Sequence, residues 1–97
     1  MQLLKGNESE YKKRHDEIWP ELSQMLKNSG ISNYSIFLDE PSGTLFASME
    51  VEDETRTSSN RHEPIMKKWW KYMGDIMVTN PDDSPVTKPL TEVFHLH

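Results

Sequence analysis

Residues 32–53, SNYSIFLDEPSGTLFASMEVED, constrain the fold more than any other stretch of the chain. Tyr34, Ile36 and Leu38 alternate with Ser35 and Phe37, and Leu45, Ala47, Met49 and Val51 alternate with Phe46, Ser48 and Glu50. A two-residue period puts alternate side chains on opposite faces of a strand. Between the runs, DEPSG supplies Asp, Pro and Gly, the residues of a tight turn. The segment predicts an antiparallel hairpin with one face to cover.

The flanking segments supply the cover. MQLL reads as a short strand, and KGNESEYKKRHDE as a helix with Asn7 as N-cap and Glu8 and Glu10 in its first turn. Pro20 cannot continue that helix, because its ring would meet the carbonyl of Asp16. It is expected to open a second one, PELSQMLKNSG, which Gly30 ends. ETRTSSNRHE is weakly patterned and reads as a frayed helix or a loop. PIMKKWWKYMGDIM is a stronger helix opened by Pro64, with Ile65, Trp69, Tyr72, Met73 and Ile76 on one face. VTNPDDSPVTKP is a loop, and LTEVFHLH alternates again as a final strand. The order β-α-β-β-α-β predicts an α+β fold of the ferredoxin-like kind, an antiparallel sheet with helices on one face.

Ninety-seven residues, 34% of them hydrophobic, make one domain, 1–97, with a modest core. A second subunit is a natural source of further burial, so a homodimer is expected. The net charge of −5 argues against a nucleic-acid partner and against an anionic membrane surface. No apolar run approaches the roughly 20 residues of a membrane span. There is no cysteine, hence no thiol chemistry and no disulfide framework. A cytoplasmic location fits these features.

The first candidate for chemistry is His15. It stands where a leucine would pack better, one helical turn after Tyr11 and nearly a turn before Ile18. An ordinary half-buried surface histidine satisfies the same spacing. A histidine of near-neutral pKa can also give and take a proton at working pH, beside a tyrosine hydroxyl that can bond a shared ligand. Trp69 falls on the apolar stripe of its helix and Trp70, rotated by about 100°, at its edge. The pair reads either as core plus subunit interface or as a stacking platform for the C–H face of a sugar. Tyr34 is a core tyrosine by default, with a hydroxyl that needs a partner if buried. NPDDSP lacks the acidic spacing of a calcium loop and reads as a structural turn. His95 and His97 share a strand face without an evident carboxylate, so no metal is expected; His62 has no role. The residues describe an acid/base group among polar aromatics, suited to a neutral polyhydroxy ligand.

Taken together, EYKKRHDEIWPEL, NYSIFLD, LFASMEVE, WWKYMGDIM, NPDDSPV and EVFHL resemble the L-rhamnose mutarotase family over about Met1 to Leu96. The resemblance implies a homodimer whose two sheets pack as a dimeric α/β barrel. It implies interconversion of the anomers of L-rhamnose without metal or organic cofactor. It implies that His15 is the proton donor, that Tyr11 and Tyr34 contact sugar, and that Trp69 and Trp70 line the pocket. The chain departs from the family pattern twice. MQLL is short for the first strand, which is central in such a sheet, so a weakened sheet is expected. Thr57 stands where relatives carry tryptophan, so a looser 54–64 segment is expected. Two competing readings share the fold: a cofactor-independent monooxygenase of the same barrel group, and a non-catalytic sugar-binding module.

Overall fold

A computed structural model describes residues 1–96. Two short helices come first, α1 (Glu8–Asp16) and α2 (Pro20–Asn28), then a hairpin of β1 (Ile31–Asp39) and β2 (Thr44–Val51). A short helix α3 (Glu54–Ser58) runs into a 3-10 turn (Ser59–His62), and α4 (Pro64–Met73) follows. The architecture is α+β.

The local chemistry sets the boundaries. Asn7 is the N-cap of α1, but its amide donates to the carbonyls of Leu4 and Lys5 rather than capping the helix N–H groups. Glu8 and Glu10 at the start of α1, and Lys13 and Arg14 at its end, match the helix dipole. Trp19 takes the extended conformation that a residue before proline prefers (ψ 130°), and Pro20 begins α2. Gly30, at φ +90°, turns the chain out of α2 into β1.

The hairpin is antiparallel, with Leu38 opposite Leu45 and Phe37 opposite Phe46. Its register shifts between Ser32 and Ser35, where Asn33 adopts φ 48°. Beyond β2 the ladder continues through single bridges. Gln2 pairs antiparallel with Thr44, and Leu3 with Met77. Met1 and Leu45 exchange hydrogen bonds of 2.8 and 3.1 Å, Leu4 N–H donates to Ile76 at 2.8 Å, and Val78 N–H donates to Gln2 at 3.0 Å. The short N-terminal stretch thus lies between β2 and residues 76–78, a central position, although it reaches only bridge length. Helices and ladder enclose a core of Leu3, Leu22, Leu45, Trp69, Met73 and Ile76.

One expectation needs correction. Residues 90–96 of the predicted final strand carry no strand, and His97 lies outside the described residues. The edge beside the N-terminal stretch is already taken by residues 76–78, and Thr79 pairs onward with Pro85. Within one chain the tail finds no ladder to join, and Val93, Phe94 and Leu96 are 92%, 77% and 81% exposed. Residues 54–62 form α3 and the 3-10 turn and are joined to the end of α2 by hydrogen bonds. Asp53 caps α3 by accepting from Thr55 N–H at 2.9 Å. Buried Asn60 donates to Ser29 Oγ at 2.9 Å, and Arg56 donates to the Asn28 carbonyl. Thr57 Oγ1 donates to the Ser29 carbonyl at 3.4 Å. Among the described residues, no helix is long and apolar enough to cross a membrane.

Candidate active site

Tyr11, His15, Tyr34, Trp69 and Trp70 line one cavity of about 1210 Å³ between the helices and the hairpin. Sequence separation as large as that from Tyr11 to Trp70 is closed by the fold. α1 presents Tyr11 and His15 one turn apart, α4 presents the tryptophans, and Tyr34 comes from β1.

The aromatic rings fix one another. The Tyr11 and His15 rings stack, with centroids 4.3 Å apart and planes 28° off parallel. Trp69 and the imidazole meet edge-to-face at 5.4 Å and 86°. Edge-to-face and offset contacts of this kind are favoured by the ring quadrupole. Trp69 is itself buried and is met by Trp19 at 5.2 Å. Trp70, one position on, is only partly buried and also borders a smaller groove beside Arg61, Lys67, Lys68 and Lys71. The helical offset of adjacent residues gives the pair two different jobs, one in the core and one at the rim.

The imidazole is also held by a hydrogen bond. His15 Nδ1 lies 3.0 Å from the carbonyl oxygen of Tyr11. That oxygen can only accept, so Nδ1 carries the hydrogen and Nε2 is left with its lone pair. Burial holds the His15 pKa below 6.5, against the opposing pull of the Tyr11 carbonyl and of Asp16. Burial also pushes the Tyr11 hydroxyl well up, with the nearby Tyr34 phenol adding to the effect, and burial raises Tyr34 too. The lift on Tyr34 holds even though 42% of that residue is accessible through the open side of the cavity. At neutral pH the site therefore holds an uncharged imidazole and two protonated phenols. It can accept one proton at Nε2 and donate hydrogen bonds from two hydroxyls, beside an indole face.

Two participants were not legible as site residues. Trp19 packs on Trp69 and, at 5.5 Å, on Tyr72; its only sequence signal is its place between Ile18 and Pro20. Arg14 stacks over the Tyr72 ring at 4.5 Å and binds Asp75. An arginine among lysines on a polar helix face looks solvated until Asp75 is seen beside it. No group of three or more His, Cys, Asp or Glu residues suited to a metal ion occurs among the described residues. The turn at NPDDSP is closed internally by Asp82, which accepts from the backbone N–H and hydroxyl of Ser84.

A histidine, two tyrosines and two tryptophans bordering one cavity define the class of a small α+β protein with an aromatic-lined pocket around an imidazole. The comparisons then give the family. Residues 1–96 match the L-rhamnose mutarotase family, and the chain belongs to it. It is 55% identical over 96 residues to the L-rhamnose mutarotase of Listeria monocytogenes serovar 1/2a, covering 99% of this chain and 92% of that one. It is 55% identical over 97 residues to that of Rhizobium etli, covering 99% and 91%. The crystal structure of the L-rhamnose mutarotase of Formosa agariphila superposes with a TM-score of 0.92 at 50% identity, over 100% of this chain and 93% of that one.

Proposed function

We propose that this chain interconverts the α and β anomers of L-rhamnopyranose, with His15 as the acid/base group. The observation that carries the reading is the convergence of His15, Tyr11, Tyr34, Trp69 and Trp70 on one cavity, in a chain of this family. Mutarotation opens the cyclic hemiacetal to an aldehyde, rotates it and closes it again. Only protons and the C1–O5 bond move, so the chemistry asks for an acid/base group and hydrogen-bond donors, not for a redox or electrophilic cofactor. His15 supplies the first, Tyr11 and Tyr34 the second. Trp69 and Trp70 offer apolar faces to the C–H side of the ring.

With this reading go a homodimer, a ferredoxin-like order and a cytoplasmic location. The bridges support the order: residues 76–78, the N-terminal stretch, β2 and β1 lie side by side, as the four strands of a ferredoxin-like sheet would. A second copy is supported by what one copy leaves uncovered. Phe37 and Phe46 pair on the outer face of the hairpin, 62% and 45% exposed, and the apolar tail lies open as well. Two such sheets packed face to face would form the dimeric α/β barrel.

Polarimetry on freshly dissolved crystalline L-rhamnose tests the function. Wild type is expected to speed the approach to anomeric equilibrium, and His15→Ala to lose about 10²–10⁴-fold of that acceleration. Folded wild type that only matches buffer overturns the assignment.

A further inference from the structure

We infer that Trp19 is a positioning residue, which from outside the cavity holds the Trp69 indole against the imidazole of His15. This rests on the mutarotase reading and extends it to a side chain that does not border the cavity.

The imidazole touches two rings. Tyr11, stacked on it at 4.3 Å, stands one turn earlier on the same helix and moves with it. Trp69 comes from α4, at 5.4 Å and 86°, so this is the ring contact that fixes the imidazole relative to a second element. What it fixes depends on what holds Trp69. An indole turns about two side-chain torsions, and a buried one keeps a single orientation only where its neighbours leave it no other. Two further rings meet it. Tyr72 lies three residues on along α4, at 5.7 Å and 54°, and travels with the same helix. Trp19 meets it at 5.2 Å and 85°, from the joint between α1 and α2. Trp19 also lies on Tyr72 at 5.5 Å and 32°. The three rings close a triangle, and Trp19 is its one member from outside α4.

The chain around Trp19 suits this task. Ile18 N–H donates to the His15 carbonyl at 3.2 Å, so the joint that carries Trp19 is tied to the backbone of His15 itself. Pro20 then bars the residue before it from helical backbone, and Trp19 stands at φ −58° and ψ 130°. The backbone is thus set at the residue whose ring reaches α4. Trp19 packs on the core and is not among the described residues that border the cavity, whereas Trp69 and His15 both border it. Its effect on a bound sugar therefore passes through Trp69. Aromatic pairs prefer particular tilts because of the ring quadrupole. A leucine at position 19 would fill part of the same space without that preference, and the Trp69 indole and the imidazole would sample other tilts. Misplacing a reacting group by about an ångström costs up to roughly 10²-fold in rate.

Ring currents displace the Cε1–H and Cδ2–H resonances of an imidazole packed against indole and phenol rings, so their shifts read its placement without reference to activity. Two-dimensional NMR would locate them in wild type, assigned by their loss in His15→Asn, and then in Trp19→Phe and Trp19→Leu. Each variant is checked for folding by circular dichroism, and Trp19→Met replaces the leucine variant if that one does not fold. Polarimetry on L-rhamnose gives kcat and KM for the same proteins. In Trp19→Leu the His15 shifts are expected to move toward those of a free histidine and kcat to fall about tenfold, with KM changed less. Trp19→Phe, which keeps a ring to meet Trp69, is expected to recover the shifts and most of the rate. If a folded variant without the ring keeps the wild-type shifts, or keeps the wild-type kcat, Trp69 holds without Trp19 and the inference is overturned. If the shifts move as expected while folded wild type does not speed mutarotation, the function falls and the positioning of the imidazole stands.

Discussion

Arg14 grips Asp75 at two points, Nη1 to Oδ1 at 2.7 Å and Nη2 to Oδ2 at 3.2 Å, and so ties α1 to the turn after α4. The same guanidinium donates to the Tyr72 carbonyl at 2.9 Å and to Glu10 at 2.9 Å, and lies over the Tyr72 ring. Tyr72 packs on Trp69, and Trp69 on His15. The clamp therefore fixes the relative placement of the two helices that carry most of the site. A planar fork makes this possible; a lysine could not satisfy four acceptors at once.

Asp75→Asn should lower the melting temperature by a few degrees at pH 6. The Arg14 guanidinium holds the Asp75 carboxyl below 3.8. A carboxyl with a lowered folded-state pKa contributes stability that is present above its unfolded value and is lost as pH falls through the folded one. The difference between wild type and variant should therefore shrink below pH 3.8. Because Asp75 is exposed, added salt should shrink it as well. Thermal unfolding by circular dichroism at pH 6 and pH 3, with and without salt, reads both effects. A gap unchanged at pH 3 would mean that the pair does not cause it.

How much of this was legible follows from the range of each signal. The hairpin, the break at Pro20 and the opening of α4 at Pro64 are written in neighbouring residues, and the structure has all three. Tyr11 and His15 share a turn, so their proximity was legible too. That Tyr34 and the tryptophans meet them was not a property of any local pattern; it depends on β1 and α4 packing across the same cavity, and the family resemblance supplied it. Arg14 and Asp75 were missed for the same reason, since 61 positions separate them. LTEVFHLH misled because alternation reports two-sidedness, not a partner. An alternating segment becomes a strand only where a free edge is within reach, and here residues 76–78 hold that edge.

Gly43→Ala should destabilise the fold by about 1–3 kcal/mol. Gly43 sits at φ +73°, and a Cβ added there would lie 2.9 Å from the carbonyl oxygen of Leu3. The same residue's carbonyl accepts from Leu3 N–H at 2.9 Å, so the turn is where the hairpin joins the N-terminal stretch. A side chain would strain the turn and push that join apart. Urea unfolding measures the loss. A change below about 0.5 kcal/mol would show that the turn relaxes freely.

On the proposed dimer through the hairpin face, Phe37→Glu combined with Phe46→Glu should leave a monomer. The two rings are directly opposed on the outer face of the hairpin, 62% and 45% exposed. Charges placed there repel across a symmetric interface and need water that a packed interface excludes. Sedimentation velocity at micromolar protein would show the halved mass, with the helical circular-dichroism signal retained. If the variant sediments as wild type does, the hairpin face is not the contact surface.

The activity of His15 should rise with pH and then hold. Burial keeps its pKa below 6.5, so above that value the imidazole is neutral and Nε2 is ready to accept a proton. Acceleration over the buffer rate should fall only below the lowered value, as the imidazole becomes charged. Stability follows the same sign. Between the lowered value and 6.5 the unfolded chain binds the proton more readily, so stability rises with pH through that window and is lost as pH falls. His15→Asn removes the titration and should flatten that segment of the stability curve. NMR exchange between the two anomers, measured from pH 4 to 9 with the uncatalysed rate subtracted, gives the profile. A fall in rate that begins near pH 6.5 on the alkaline side would mean that the charged imidazole is the active form. His15 would then act as an acid at the start of the reaction rather than as a base.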